Sequence, residues 1–140
     1  MEKEFVNYEQ ALALKELGFD GKCLGAFDKK YKLAITTSEY WDVSSLYRLN
    51  DYFGKNTYKC LAPLYQQAFK WFRNKYKLQC YPMLDTENIY WCLFSDGIGS
   101  GFLMKDGDYG YDSEDHLEFK TYEEAELECL KKLIEIVKQK

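Results

Sequence analysis

Few residues in this chain combine the chemistry and the spacing of a reactive site. Gly97-Ile-Gly-Ser-Gly101 has the glycine density of a loop that cradles phosphate. Such a loop works because a helix begins directly after it and turns its first N–H groups toward the anion. Here Phe102-Leu-Met104 follows, a strand-like run, so the stretch reads as a hairpin turn. Asp106 to Asp115 has oxygen ligands enough for calcium, but Leu117 stands where an EF-hand places its acidic twelfth residue. It reads as a solvated acidic loop. His116, the only histidine, adjoins Asp115 and suggests a Cys-His or Ser-His pair. No motif places a nucleophile beside it, and it reads as incidental.

The five cysteines, Cys23, Cys60, Cys80, Cys92 and Cys129, are odd in number and far apart. Without a C-x-x-C pair or a Cys/His cluster they do not make a zinc site. Single cysteines in apolar surroundings are buried free thiols of a reducing cytoplasm. Neither a cofactor nor a metal is indicated, and the chain reads as a non-enzyme.

The aromatic stretch from Tyr40 to Tyr58 offers binding chemistry instead. Trp41, Tyr47, Tyr52, Phe53 and Tyr58 alternate with small polar residues and with the cations Arg48, Lys55 and Lys59. Tyr and Trp join a large apolar body to a hydrogen-bonding tip, which suits a partner surface, although packing over a sheet uses the same residues. Cations beside aromatic rings also stack a base and pair its phosphates. The candidate binding residues are Trp41, Tyr47, Arg48, Tyr52, Lys55, Tyr58 and Lys59, with Arg73 from the helix that follows.

These residues need elements to hold them. The first is a helix over 8–17, with Asn7 as N-cap, Gln10 completing a capping box and Gly18 as the stop. Cys23 to Phe27 and Tyr31 to Ile35 make a hairpin around Asp28-Lys-Lys30. The segment 36–60 holds a short strand, a hairpin or a binding loop. A central aromatic helix spans 63–76, with Pro63 at its first position, where the missing N–H costs nothing. Leu64, Ala68, Trp71 and Phe72 recur at helical spacing and serve core packing. Strands follow over 78–83, where Pro82 marks an edge, and over 88–94, 100–105 and 116–119. The last element is a helix over 122–138, opened by the capping box Thr121-Tyr-Glu-Glu124, with a Glu128–Lys132 pair one turn apart. Phe5-x-Asn-Tyr-Glu-Gln-Ala11 is echoed by Phe119-x-Thr-Tyr-Glu-Glu-Ala125, which fits two strand-to-helix junctions of one kind better than a duplicated half-domain.

The fold class is α+β, an antiparallel sheet of about four to six strands packed against three helices in a single domain over 1–140. At 140 residues the chain can bury roughly two thirds of its unfolded surface and needs no staple. Net charge −4 argues against duplex nucleic acid, whose affinity rests on Lys and Arg neutralising phosphates. The N-terminus lacks the basic-then-apolar pattern of a signal, and no stretch approaches the length of a membrane span.

Three segments resemble small proteins of gut Bacteroidales and their phages and mobile elements. They are Ala62-Pro-Leu-Tyr-Gln-Gln-Ala-Phe-Lys-Trp-Phe-Arg-Asn-Lys-Tyr76, Phe5 to Asp20, and Thr121 to Val137. Lys77 departs from the glycine that follows the tyrosine in that group, and glycine would make the easier helix stop. The resemblance implies a phage or mobile-element origin and carries no catalytic motif. Taken together, the expectation is a cytoplasmic protein that binds a host or phage protein. The alternative is capture of a small anionic ligand such as a nucleotide signal. A homodimer would follow from any apolar face left over on the last helix.

Overall fold

The computed structural model describes residues 2–36, 40–54, 57–111 and 114–139. It is α+β, with α-helices and two antiparallel sheets, of three and four strands. By its internal packing the chain divides into two compact units, Met1–Ala68 and Phe69–Lys140.

In the first unit α1 (Tyr8–Glu16) starts where the Asn7 side chain accepts the Gln10 N–H at 2.9 Å, and it ends before Gly18, whose φ is 90°. The hairpin β1 (Gly25–Asp28) and β2 (Leu33–Ile35) turns at Asp28, whose carboxylate accepts from the N–H groups of Lys30 and Lys32. Next comes a helix where a strand or loop was expected, α2 (Val43–Phe53). Asp42 caps it by accepting the Ser45 N–H, while the Ser45 hydroxyl accepts the Asp42 N–H. The chain then returns as β3 (Tyr58–Ala62) beside β1, giving the order β2-β1-β3. Gly25 is required here, because a Cβ would come within 2.9 Å of the Phe5 ring. Both α1 and α2 pack on β3. Leu14, Phe19, Phe27, Leu46 and Leu61 are buried in this unit.

The helix α3 (Tyr65–Tyr76) begins later than its proline suggested. Pro63 lies just beyond β3, and its carbonyl accepts the Val6 N–H at 2.9 Å, so its extended neighbourhood belongs to the strand. Gln67 closes the start of α3 by accepting the Leu64 N–H. The end falls at Tyr76 because Lys77 adopts φ 59°, the left-handed conformation of a glycine stop.

The second unit is a meander, β4 (Gln79–Leu84), β5 (Tyr90–Ser95), β6 (Ser100–Leu103) and β7 (Tyr109–Gly110), paired in chain order. Pro82 sits on the outer strand β4, as expected of a residue without an N–H. The strand expected over 116–119 is reduced to two single bridges, His116 with Met104 and Phe119 with Tyr90. Finally α4 (Tyr122–Lys138), capped by Thr121, buries Ala125, Cys129, Leu130, Leu133, Ile134 and Val137. It packs on β4 and β5, which occupy its apolar face. Glu128 pairs with Lys131 and Lys132 with Glu135, rather than Glu128 with Lys132. Lys132 instead reaches the Gly107 carbonyl. Among the described residues no helix is long and apolar enough to cross a membrane.

Candidate binding groove

The first unit holds a groove between α1, α2 and β3. Its α2 wall is Val43, Leu46, Tyr47 and Asn50, residues at i, i+3, i+4 and i+7 that share one helical face. Ala11 and Lys15 come from α1, Phe19 from the loop after it, and Tyr58, Lys59, Cys60 and Leu61 from β3. The floor is apolar and closed, since Ala11, Phe19, Leu46, Cys60 and Leu61 are all buried. The lip is exposed, with Tyr47 at 69% and Val43 at 40%. The cavity volume is about 80 Å³.

Two side chains fix the β3 wall. The Asn50 carboxamide spans the outer edge of the strand, accepting the Tyr58 N–H at 2.8 Å and donating to the Tyr58 carbonyl at 3.1 Å. The Lys15 ammonium donates to the Lys59 carbonyl at 2.7 Å. An open strand edge is a site of unwanted pairing, and these bonds cover it. Among the described residues the lining has two lysines and no carboxylate, although the whole chain carries −4. Burial raises the Cys60 thiol to about 11 against the opposing pull of the Lys15 ammonium. Cys60 is thus a protonated floor residue and a poor nucleophile at neutral pH.

Of the residues singled out by sequence, Tyr47, Tyr58 and Lys59 line this groove. Trp41 pairs its backbone with Cys23 and sets its ring 5.9 Å from that of Tyr58. Arg48 and Tyr52 lie on the face of α2 opposite the groove stripe, where Tyr52 packs edge-on against Phe53. Arg73 is exposed on α3 and belongs to the second unit. Lys55 lies outside the described residues. Sequence reasoning missed Lys15, Phe19, Val43, Leu46 and Asn50. For the three from α2 the signal was present, an apolar i, i+3, i+4 pattern behind an Asp-x-x-Ser cap. For Lys15 and Phe19 none was.

The other chemical readings resolve differently. Gly97 to Gly99 forms a hairpin turn in which the Asp96 carboxylate accepts the N–H groups of Ile98 and Gly99, and strand β6 follows, so no helix presents N–H groups to a phosphate. In the acidic loop the carboxylates of Asp106 and Asp108 accept local backbone N–H groups; Asp112 and Ser113 lie outside the described residues. Among the described residues no three His, Cys, Asp or Glu side chains are placed to hold a metal ion. His116 is buried between the rings of Trp91 and Phe102, each 4.8 Å away, and among the described residues neither ring nitrogen has a hydrogen-bond partner. Comparison of the chain with family models, with curated proteins and with solved structures returns no match.

Proposed function

We propose that this chain is a non-enzymatic accessory protein of a phage or mobile element that binds a host protein in the cytoplasm. The groove between α1, α2 and β3 takes one apolar side chain of that partner, with a partner carboxylate lying beside Lys15 and Lys59. The observation that carries this reading is the make-up of the lining: a closed apolar floor, an exposed tyrosine lip and two lysines with no acid. A tyrosine at the rim and a desolvated pocket behind it are the usual parts of a binding hot spot. The volume of about 80 Å³ suits one anchor residue. For scale, an apolar cavity of about 150 Å³ holds a benzene ring.

The same two lysines favour a second reading, a small anionic ligand with an apolar portion of a few heavy atoms. A nucleotide fits that reading only with most of its bulk outside the groove.

Capture from lysate of a gut Bacteroidales host tests the first reading. Wild type is compared with Tyr47→Asp, with Lys15→Glu, and with Tyr52→Asp as a control on the opposite face of α2. A host protein held by wild type and Tyr52→Asp but lost by the two groove variants is the expected result. An empty capture, or an identical set from all four proteins, overturns it. Extra mass in the native protein that disappears on denaturation, and that Lys15→Glu removes, would move the assignment to the small ligand.

A further inference from the structure

Outside the groove, the second unit brings three thiols together. Cys80 on β4, Cys92 on β5 and Cys129 on α4 are all buried, at 3%, 0% and 0% exposure. Each thiol shifts the ionisation of the other two. The Cys92 thiol also donates to the Ala125 carbonyl at 3.2 Å, one helical turn before Cys129, which seats that sulfur against α4.

Register excludes one pair, and the seat of Cys92 against α4 favours another. Cys80 stands opposite Phe94, and Cys92 opposite Pro82, so the two strand cysteines are diagonal neighbours on one face of the sheet. Diagonal positions are about 7–8 Å apart. A disulfide spans about 4.4–6.8 Å between Cα atoms. Cys80 and Cys92 therefore do not pair without moving the strands, and Cys129 is the necessary partner. We infer that Cys92 and Cys129 are a modification site for peroxide, which joins them in a reversible disulfide tying α4 to β5.

The step balances. The Cys92 thiolate attacks one peroxide oxygen; an S–O bond forms, the O–O bond breaks and hydroxide leaves, taking up the thiol proton as water. The Cys129 thiol then attacks the Cys92 sulfenic acid as its proton passes to the departing hydroxyl; the S–S bond forms, the S–O bond breaks and a second water leaves. The two thiols are oxidised by two electrons and one peroxide is reduced to two waters. Cys129 and then Cys80 lower the pKa of Cys92, to about 5, against the cost of burial, so it is the sulfur that carries the anion. Ionisation gives up its bond to Ala125, and Glu128 opposes it. Burial, and then the neighbouring thiols, raise the pKa of Cys129. For Cys80 the Cys129 hydrogen bond lowers it, but the bond to Cys92 and burial prevail and raise it. The three thiols are buried, so peroxide reaches them when the unit opens locally.

The test treats the full chain with hydrogen peroxide under native conditions. The product is then unfolded, alkylated and mapped without reduction. The expected result is the loss of two alkylatable thiols per chain, a linked peptide containing Cys92 and Cys129, and recovery of both thiols with a dithiol. Cys80→Ser should still form the link. Cys129→Ser should form none and should leave a Cys92 sulfenic acid that dimedone traps. If Cys129→Ser does not fold, the wild-type map decides alone. Five alkylated cysteines after peroxide, or a link through Cys80, Cys23 or Cys60 in place of Cys92–Cys129, overturns the assignment.

Discussion

Replacing Asn50 tests whether the groove wall is held by a side chain acting as a strand. The Asn50 carboxamide satisfies both backbone groups of Tyr58, at 2.8 and 3.1 Å. A hydrogen bond of this kind contributes a net of about 0.5–1.5 kcal/mol, so the pair is worth about 1–3 kcal/mol. Two effects reduce what Asn50→Ala will show. Tyr58 is half-buried, and water can reclaim part of what is lost. Alanine is also the better helix former, by up to about 0.7 kcal/mol. The expected destabilisation is therefore about 0.5–2 kcal/mol in urea denaturation, with faster exchange of the Tyr58 amide. Asn50→Asp is the more telling variant. Its carboxylate still accepts the Tyr58 N–H, but the second oxygen faces the Tyr58 carbonyl, acceptor against acceptor. Protonation converts that oxygen into a donor and restores the pair. The folded state then binds the proton more tightly than the unfolded state, so the folded pKa is raised. The stability of Asn50→Asp should be greatest below the ordinary carboxyl value and should fall as pH rises through the folded one. Urea midpoints of the three proteins at neutral and mildly acidic pH measure this. An Asp variant as stable as wild type at neutral pH, or an Ala variant without loss of stability or of Tyr58 protection, refutes the reasoning.

Two further perturbations have clear signs. Lys77→Gly should stabilise the chain by about 0.5–1 kcal/mol, because Lys77 holds φ 59° at a cost that glycine escapes, less the extra freedom of glycine in the unfolded chain. The Lys77 side chain gives up only an exposed bond to the Asn74 carbonyl, and a urea midpoint unchanged or lowered would show that the helix stop is not strained. Asp28, Asp42 and Asp96 have pKa values lowered chiefly by the backbone N–H groups of Lys32, Ser45 and Gly99 respectively. Each folded value lies below its unfolded value of about 3.9, so the stability they add is present above that pH and is lost as pH falls through the folded values. Replacing all three by Asn should flatten the acid limb of stability against pH, and an unaltered slope would assign acid unfolding to other groups.

The elements legible in the sequence were those whose caps and faces agree. Thr121, Glu124 and the apolar series from Ala125 to Val137 give both ends and the buried side of α4, and the structure places it at Tyr122–Lys138. In α2 the signals conflict. Tyr47, Tyr52 and Phe53 favour strands, and Ser44, Ser45 and Asn50 are indifferent helix formers. What decides the helix is the reciprocal cap between Asp42 and Ser45 and the burial of Leu46 against β3, and the second of these is tertiary. Division into two sheets was equally out of reach, since β3 pairs with β1 across the whole of α2 and no local pattern records that choice. The groove shows the same split. Tyr47, Tyr58 and Lys59 come from the aromatic stretch, whereas Lys15 enters because α1 packs on β3, which brings its ammonium to the Lys59 carbonyl.

The echo between the two ends of the chain has a structural counterpart, and it sets the limits of that likeness. Phe5 and Phe119 each form a single antiparallel bridge, with Leu64 and Tyr90. Two residues on, Asn7 and Thr121 each accept the N–H three positions ahead. The tyrosine that opens each helix then packs edge-on against a strand aromatic of its own unit. Tyr8 meets Phe27 at 5.6 Å and 90°, and Tyr122 meets Tyr90 at 5.8 Å and 83°. A bridge fixes the incoming chain, a cap starts the helix, and the ring contact sets the helix against its sheet. Beyond the junction the units differ. α1 precedes its strands in an order β2-β1-β3, and α4 follows a four-stranded meander. Duplication of a half-domain would carry the strand order along with the junction. What recurs is the junction alone, a local solution to seating a helix on a sheet, reached with the same residue types at the cap and at the ring contact because each of these requires them.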